Sequence, residues 1–198
     1  PSVIFYGPPG TGKTTLARII ADTSNSKFVK LNAISSGVAD VKSVIEQAKN
    51  DFELYGQRTY LLLDECHRWS KAQSDSLLAS LENGYLIFIG CTTENPSYSM
   101  TRAIVSRCSV FEFKKLSIED VKCVLRRAME SETGLKVYNI KIDDDALTYI
   151  ASACGGDVRS ALTGLELGAI STPMNKEGET VITKEIAAEC LQKKATSL

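Results

Sequence analysis

Short apolar runs alternate with stretches of helical periodicity through the first 116 residues. The runs fall at 3–6, 28–31, 60–63, 86–89 and 110–113. Interleaved with helical patterns, they predict a parallel sheet wrapped by helices. One helix is marked at both ends: Ser70 and Gln73 form a capping box, Leu77, Leu78 and Leu81 make an apolar stripe, and Asn83-Gly84 closes it. Another starts near Lys13, with Leu16, Ile19 and Ile20 on one side. After Leu116 the strand signal stops. Helix starts follow at Ser117 with Asp120, at Asp143, at Asp157 behind Gly155-Gly156, and at Thr183. Residues 172–180, with Pro173 and Gly178 among polar side chains, predict a surface loop between two of these helices. The pattern divides the chain into an α/β core over 1–116 and a small all-α unit over 117–198, with no internal repeat or low-complexity tract.

The first run enters Gly7-Pro8-Pro9-Gly10-Thr11-Gly12-Lys13-Thr14, and a helical pattern follows. GxxxxGK[ST] between a strand and a helix is the form of a loop that binds a nucleoside triphosphate. The glycines let the backbone turn tightly so that successive N–H groups point at phosphate oxygens. The start of the helix adds its positive dipole end. Lys13 is then placed to reach the β and γ phosphates, and the Thr14 hydroxyl to join a magnesium shell. The expected nucleotide-binding set is Gly7, Pro8, Pro9, Gly10, Thr11, Gly12, Lys13, Thr14 and Thr15.

The third run ends in Asp64-Glu65. Carboxylates at the C-terminal edge of a parallel sheet stand where ligands gather in such folds. Asp64 is expected to hold Mg2+, directly or through water, and Glu65 to orient or deprotonate the attacking water. Asn32, after the second run, either hydrogen-bonds Glu65 or is a buried capping amide. His67, the only histidine, reads as a packed or supporting group.

Composition narrows the classes further. The chain has 198 residues, 43% of them hydrophobic, enough for one sizeable core or a core plus a small second unit. A net charge of -1, from 23 basic and 24 acidic residues, gives no global nucleic-acid signature, so any DNA contact must use a local patch. The six cysteines form no CxxC pair, which argues for reduced thiols in a cytosolic protein and against a zinc site. No run approaches the roughly 18 apolar residues of a membrane span, and no signal-peptide pattern is visible. A core strand at the first residues makes the chain look cut at its N-terminus.

The order of motifs carries a resemblance. With Asp64-Glu65-Cys66-His67-Arg68-Trp69-Ser70-Lys71-Ala72-Gln73, Thr92-Thr93-Glu94-Asn95-Pro96 and Ser106-Arg107-Cys108, the chain resembles the AAA+ ATPases, a branch of the P-loop NTPases. Among them it is similar to the clamp-loader-like RarA (MgsA) group of replication-associated recombination proteins, related to Werner helicase-interacting protein. The likeness spans nearly the whole chain. It implies a parallel five-stranded sheet followed by a helical lid, ATP and Mg2+ as cofactors, and roles for further residues. Thr92, with Thr93 as fallback, resembles the polar sensor of the γ phosphate or attacking water. Arg107 resembles the arginine finger that enters a neighbouring subunit's site. Arg159, in Gly156-Asp157-Val158-Arg159, resembles the lid arginine that reads the γ phosphate in its own chain. Guanidinium groups suit a transition state that spreads negative charge over phosphoryl oxygens. Arg102 stands where the resemblance implies a small or polar residue. The group also carries a segment before the first strand that helps enclose adenine, and a C-terminal region implicated in tetramers; both are expected outside this sequence.

The resemblance thus implies a Mg-dependent ATPase acting on single-stranded or fork-like DNA in replication-fork maintenance, recombination and repair. It further implies a homo-oligomer, a tetramer in the full-length protein, in the bacterial cytoplasm near the nucleoid, without a membrane partner. Single-strand binding protein or replisome components are its implied protein partners. Arg68, Lys71, Lys114 and Lys115 are local basic residues available to phosphates. Two alternatives remain at this stage. One is an ATP-gated, clamp-loader-like binding switch that needs no turnover. The other is a superfamily 2 helicase fragment, whose acid box Asp64-Glu65-Cys66-His67 mimics, although the roughly 80 residues after the core are few for a second RecA-like domain.

Overall fold

All five apolar runs become strands, and each strand is longer than its run because backbone pairing continues past the apolar side chains. They are β1 (Ser2–Tyr6), β2 (Lys27–Asn32), β3 (Thr59–Asp64), β4 (Leu86–Thr92) and β5 (Cys108–Glu112) in a computed structural model that describes residues 1–196. The sheet order is β2-β3-β4-β1-β5, with every pairing parallel. β5 begins earlier than its apolar run, and Phe113 falls just past its end, where its N–H still donates to the Tyr6 carbonyl at 2.6 Å. β4, flanked on both sides, is buried along its whole length, whereas the edge strand β5 is mostly exposed.

Alternation along the strands builds a core on each face. Leu61 and Leu63 point to one face, with Ile4, Phe88 and Leu77; Leu62 points to the other, with Phe5, Ile89, Cys91 and Ala17. The helices of this unit are α1 (Lys13–Thr23), α2 (Val38–Tyr55), α3 (Lys71–Asn83), α4 (Pro96–Ser99) and α5 (Arg102–Ser106). The capping box of α3 forms as expected: the Ser70 hydroxyl accepts the Gln73 N–H at 3.3 Å, and Gln73 Oε1 accepts the Ser70 N–H at 2.8 Å. Gly84 closes the helix at φ 77.

The buried side of α1 differs from its apolar stripe. Ala17 and Ala21, one turn apart, are fully buried, while Leu16 and Ile19 are 38% and 54% exposed and only Ile20 of the three packs into the core. Small residues at i and i+4 let the helix lie close to the strands, and this close contact fixes its rotation more strongly than the larger side chains do.

The chain divides into two compact units, with the break between Lys114 and Lys115. The second unit holds α6 (Ile118–Glu130), α7 (Asp144–Ala153), α8 (Val158–Ser171) and α9 (Lys184–Thr196). All four expected starts carry their caps: the side chains of Ser117, Asp143, Asp157 and Thr183 accept from the N–H groups of Asp120, Ala146, Ser160 and Ile186. The unit is not wholly helical. Short strands β6 (Ile140–Ile142) and β7 (Thr180–Ile182) pair in parallel, and β7 sends Thr180 and Ile182 inward and Val181 outward. Runs of three residues are too short to show a periodicity of two in sequence. Val121, Leu125, Ile150, Leu165 and Ile182 lie in its core. Among the described residues, no helix is long and apolar enough to cross a membrane.

Candidate active site

The loop of residues 7–14 leaves the end of β1 at the point where β1 separates β4 from β5, the position at which parallel sheets of this kind bind ligands. Gly7 donates its N–H to the Thr92 carbonyl at 3.1 Å and has φ 149; a Cβ there would lie 2.0 Å from the Phe113 carbonyl oxygen. No other residue fits without moving the chain just past β5. Gly10 and Gly12 also have positive φ, 70 and 93. Gly12 precedes α1, and no side chain caps the helix, so its first amides are left without a side-chain partner. Pro8 and Pro9 are exposed at the bend, and Thr11 bonds back to the Pro8 carbonyl at 2.9 Å. The Lys13 ammonium is buried in the loop, donating to the carbonyls of Gly7 at 2.9 Å and Pro8 at 2.7 Å. Thr14 is half-buried and Thr15 exposed on the first turn of α1.

The acid strand meets this loop. Leu63 pairs with Gly90, and Phe5 with Cys91, so the carboxylate following Leu63 and the loop following Tyr6 stand on either side of the end of β4. Cys91 registers both. Burial pushes its thiol up to about 12; the nearby Asp64 carboxylate adds to the rise, while Lys13, Lys30 and a hydrogen bond with Thr14 oppose it. The charges of Asp64 and Lys13 are thus both felt at one buried side chain, which Thr14 also bonds. The Asp64 carboxylate and Thr14 hydroxyl are hard oxygen donors of the kind magnesium takes together with phosphate and water. No group of three or more His, Cys, Asp or Glu side chains gathers among the described residues, so a magnesium ion here would draw the rest of its shell from the nucleotide and water.

Glu65 adopts the left-handed conformation at φ 54, uncommon for a residue with a side chain, and its N–H is held by Asp64 Oδ1 at 3.0 Å. The turn aims its carboxylate toward His67, with Oε2 3.6 Å from Nε2. Asn32 acts as a capping amide, half-buried rather than buried: its Oδ1 accepts the Ile34 N–H at 2.9 Å. Thr92 is 2% exposed, and its hydroxyl is engaged with His67 Nδ1 at 2.6 Å and with the Glu94 N–H at 3.0 Å. Thr93, next along, is exposed. Sequence reasoning missed the closeness of His67, Thr92 and Glu94; the available signal was a lone histidine two residues past the acid pair.

Of the two arginines, one belongs to each unit. Arg107 follows α5 at the opening of β5, and β5 begins beside Ser2, at the opposite end of β1 from the phosphate loop. At about 3.3 Å per residue, β1 puts on the order of 13 Å between those ends. The guanidinium pairs with the Glu82 carboxylate and donates to the Ala103 carbonyl at 3.3 Å, and the side chain is 40% exposed. Arg159 is exposed on the first turn of α8; Asp157 spends its carboxylate on Ser160 instead, and no ion pair engages Arg159 among the described residues. Arg102 is exposed at the start of α5, and nothing in the structure explains it.

Residues 3–116 match the family model for the ATPase family associated with various cellular activities. The chain belongs to this AAA family. Residues 136–198 match the model of the AAA C-terminal domain. The chain is 47% identical over 197 residues to replication-associated recombination protein A of Bacillus subtilis, covering 99% of this chain and 46% of that protein. It is 43% identical over 180 residues to ATPase WRNIP1 of Dictyostelium discoideum, covering 91% of this chain and 20% of that protein. The chain thus spans less than half the length of these relatives. The solved structure of the Thermotoga maritima RuvB Holliday junction branch migration motor superposes with a TM-score of 0.72 at 22% identity, over 97% of this chain and 61% of that one. That likeness is one of fold.

Proposed function

We infer that the chain is the nucleotide-hydrolysing module of an AAA ATPase that acts on DNA during replication-associated recombination and repair. The observation that carries this reading is that the phosphate loop after β1, with Lys13 buried in it, and the acid pair after β3 flank the same end of β4. Loop amides and Lys13 bind the polyphosphate, and Thr14 and Asp64 hold Mg2+, which neutralises charge on the transferred phosphoryl group. Glu65 orients the attacking water and takes its proton. Thr92, or Thr93 beside it, senses the terminal phosphate. Arg107 completes the site of a neighbouring copy, and Arg159 supplies a second guanidinium from the helical unit. The position of Arg107, at the far end of β1 from its own phosphate loop, supports a role in trans.

The DNA substrate, a homo-oligomeric and tetrameric assembly of the whole protein, single-strand binding protein or replisome partners, and a cytoplasmic, nucleoid-associated setting belong to this proposal. They are supported by the likeness to replication-associated recombination protein A. The exposed basic residues Arg68 and Lys71, just before and at the start of α3, are available for phosphate contacts. ATP turnover of the whole protein, measured with and without single-stranded DNA at low and high salt, tests the reading. Stimulation that fades with salt is the expected result; turnover indifferent to DNA at low salt removes the DNA claim, and no turnover in any assembly removes the hydrolysis claim.

A further inference from the structure

His67 is assigned no role by the phosphate loop, the acid pair or the arginines, yet it stands between two of the groups that matter most. Its side chain is 7% exposed. Nδ1 lies 2.6 Å from the Thr92 hydroxyl. Nε2 faces two carboxylates, Glu65 Oε2 at 3.6 Å and Glu94 Oε1 at 3.8 Å. Thr92 in turn takes the Glu94 N–H on its hydroxyl and the Gly7 N–H on its carbonyl. A continuous set of contacts therefore runs from the first glycine of the phosphate loop, through Thr92 and the imidazole, to Glu65.

The protons along this path can be placed. The Thr92 oxygen accepts from the Glu94 N–H and keeps its own proton to give, and the two carboxylates that face Nε2 favour a proton rather than a lone pair on that nitrogen. A neutral imidazole that accepts at Nδ1 carries its proton on Nε2, so an N–H faces the carboxylates rather than a lone pair. The two N–O separations exceed those of closed hydrogen bonds. A small rotation of either glutamate brings its carboxylate to hydrogen-bonding distance, and the two compete because Nε2 has one proton to give; Glu94, 57% exposed in its side chain, has the freedom to rotate.

We propose that His67 is a positioning residue that ties the Thr92 hydroxyl to the Glu65 carboxylate, with Glu94 as the competing acceptor, so that a change at the phosphate loop resets how Glu65 is held. This rests on the reading of Glu65 as the base of the hydrolysis. His67 itself touches neither nucleotide nor water in the scheme. Its work is to fix which carboxylate oxygen of Glu65 remains open to accept a proton.

The lone imidazole gives a direct probe, because the sequence contains no other histidine. With 15N-histidine incorporated into the chain, the expected spectrum shows a proton held on Nε2, with Thr92→Val moving the Nδ1 resonance and Glu65→Gln moving the Nε2 resonance. An imidazole that exchanges freely between tautomers and ignores both substitutions overturns the proposal. Kinetics supplies the second arm. Asparagine keeps a polar atom near the Nδ1 position and glutamine near the Nε2 position. His67→Asn is expected to lower kcat about 10- to 100-fold, the range that partners of a reacting group's ligands command, with His67→Gln retaining more activity and both variants binding nucleotide with unchanged Kd. Wild-type kcat in His67→Asn, or losses that follow nucleotide affinity or melting temperature instead, overturn it. The two readings fail separately. A protein that never hydrolyses ATP but shows the Nε2 proton and both resonance shifts loses the hydrolysis reading and keeps the link, while normal wild-type turnover with an uncoupled imidazole ends this inference alone.

Discussion

At the carboxyl edge of the five-stranded sheet the polar groups are bound to one another: Lys13 to the loop carbonyls, Asp64 to the Glu65 N–H, Thr92 to His67. At the amino edge, Arg107 is held by a single half-exposed carboxylate, Glu82, and one carbonyl at 3.3 Å. The first edge is prearranged for a ligand that arrives, since its donors and acceptors are fixed and mostly buried. The second presents a charged group with little to keep it in place. On the proposed reading of Arg107, a guanidinium placed an entire strand length from its own phosphate loop would serve the site of a neighbouring copy, and the single chain would carry halves of two different sites.

The largest effect should come from separating these halves. Arg107→Ala is expected to lower turnover of a purely mutant assembly by about 10³ to 10⁵, the range of arginine fingers in related nucleotide hydrolases, while leaving nucleotide Kd unchanged. Mixing it with Lys13→Ala, which lacks the loop ammonium but keeps its arginine, should restore part of the activity. Equal turnover in the pure Arg107→Ala protein, or no recovery on mixing at any ratio, breaks the two-edge comparison.

Glu65→Gln sharpens the carboxyl edge alone. Turnover should fall about 10²- to 10⁴-fold, the usual worth of a positioned base, with binding of Mg-ATP intact by calorimetry. A variant that binds, does not turn over and still supports the protein's cellular role would favour the ATP-gated switch over the motor. Lys13→Ala comes next in size. Removing an ammonium bonded to a charged oxygen should weaken triphosphate binding about 10- to 100-fold, and an unchanged Kd would detach Lys13 from the site.

The carboxyl edge was legible in sequence for a physical reason. Glycines at 7, 10 and 12, a lysine at a helix start and acids after an apolar run each answer a local demand of the backbone or of phosphate, and local demands leave local patterns. The caps of α3, α6, α7, α8 and α9 were legible for the same reason, since a cap is a contact within one turn. What depends on tertiary contact was not. The rotation of α1 is set by how closely Ala17 and Ala21 approach the strands, and the three-residue strands β6 and β7 exist only because their partner lies some 40 positions away in sequence. The link between Thr92 and His67 joins residues 25 positions apart, and no spacing rule connects them. For Arg107, sequence supplied the motif and the structure supplied its place at the amino edge, the fact on which a role in trans depends.

Glu82 should give the smallest effect, and it separates two meanings of the amino edge. Its side chain is 55% exposed and that of Arg107 is 40% exposed, so the pair contributes about 0 to 1 kcal/mol to the fold. If the pair exists to hold the strand end together, Glu82→Gln lowers stability slightly and leaves turnover alone. If Glu82 restrains an arginine destined for a neighbour's phosphate, the same substitution frees the guanidinium, and turnover of the assembly should rise by a few-fold at most, since 0 to 1 kcal/mol corresponds to about a five-fold change. The second result is expected, because the Arg107 side chain reaches no other carboxylate among the described residues. The measurement is kcat of the Glu82→Gln assembly against wild type at saturating ATP, repeated in high salt. Screening already loosens the wild-type pair there, so the difference between the two proteins should narrow.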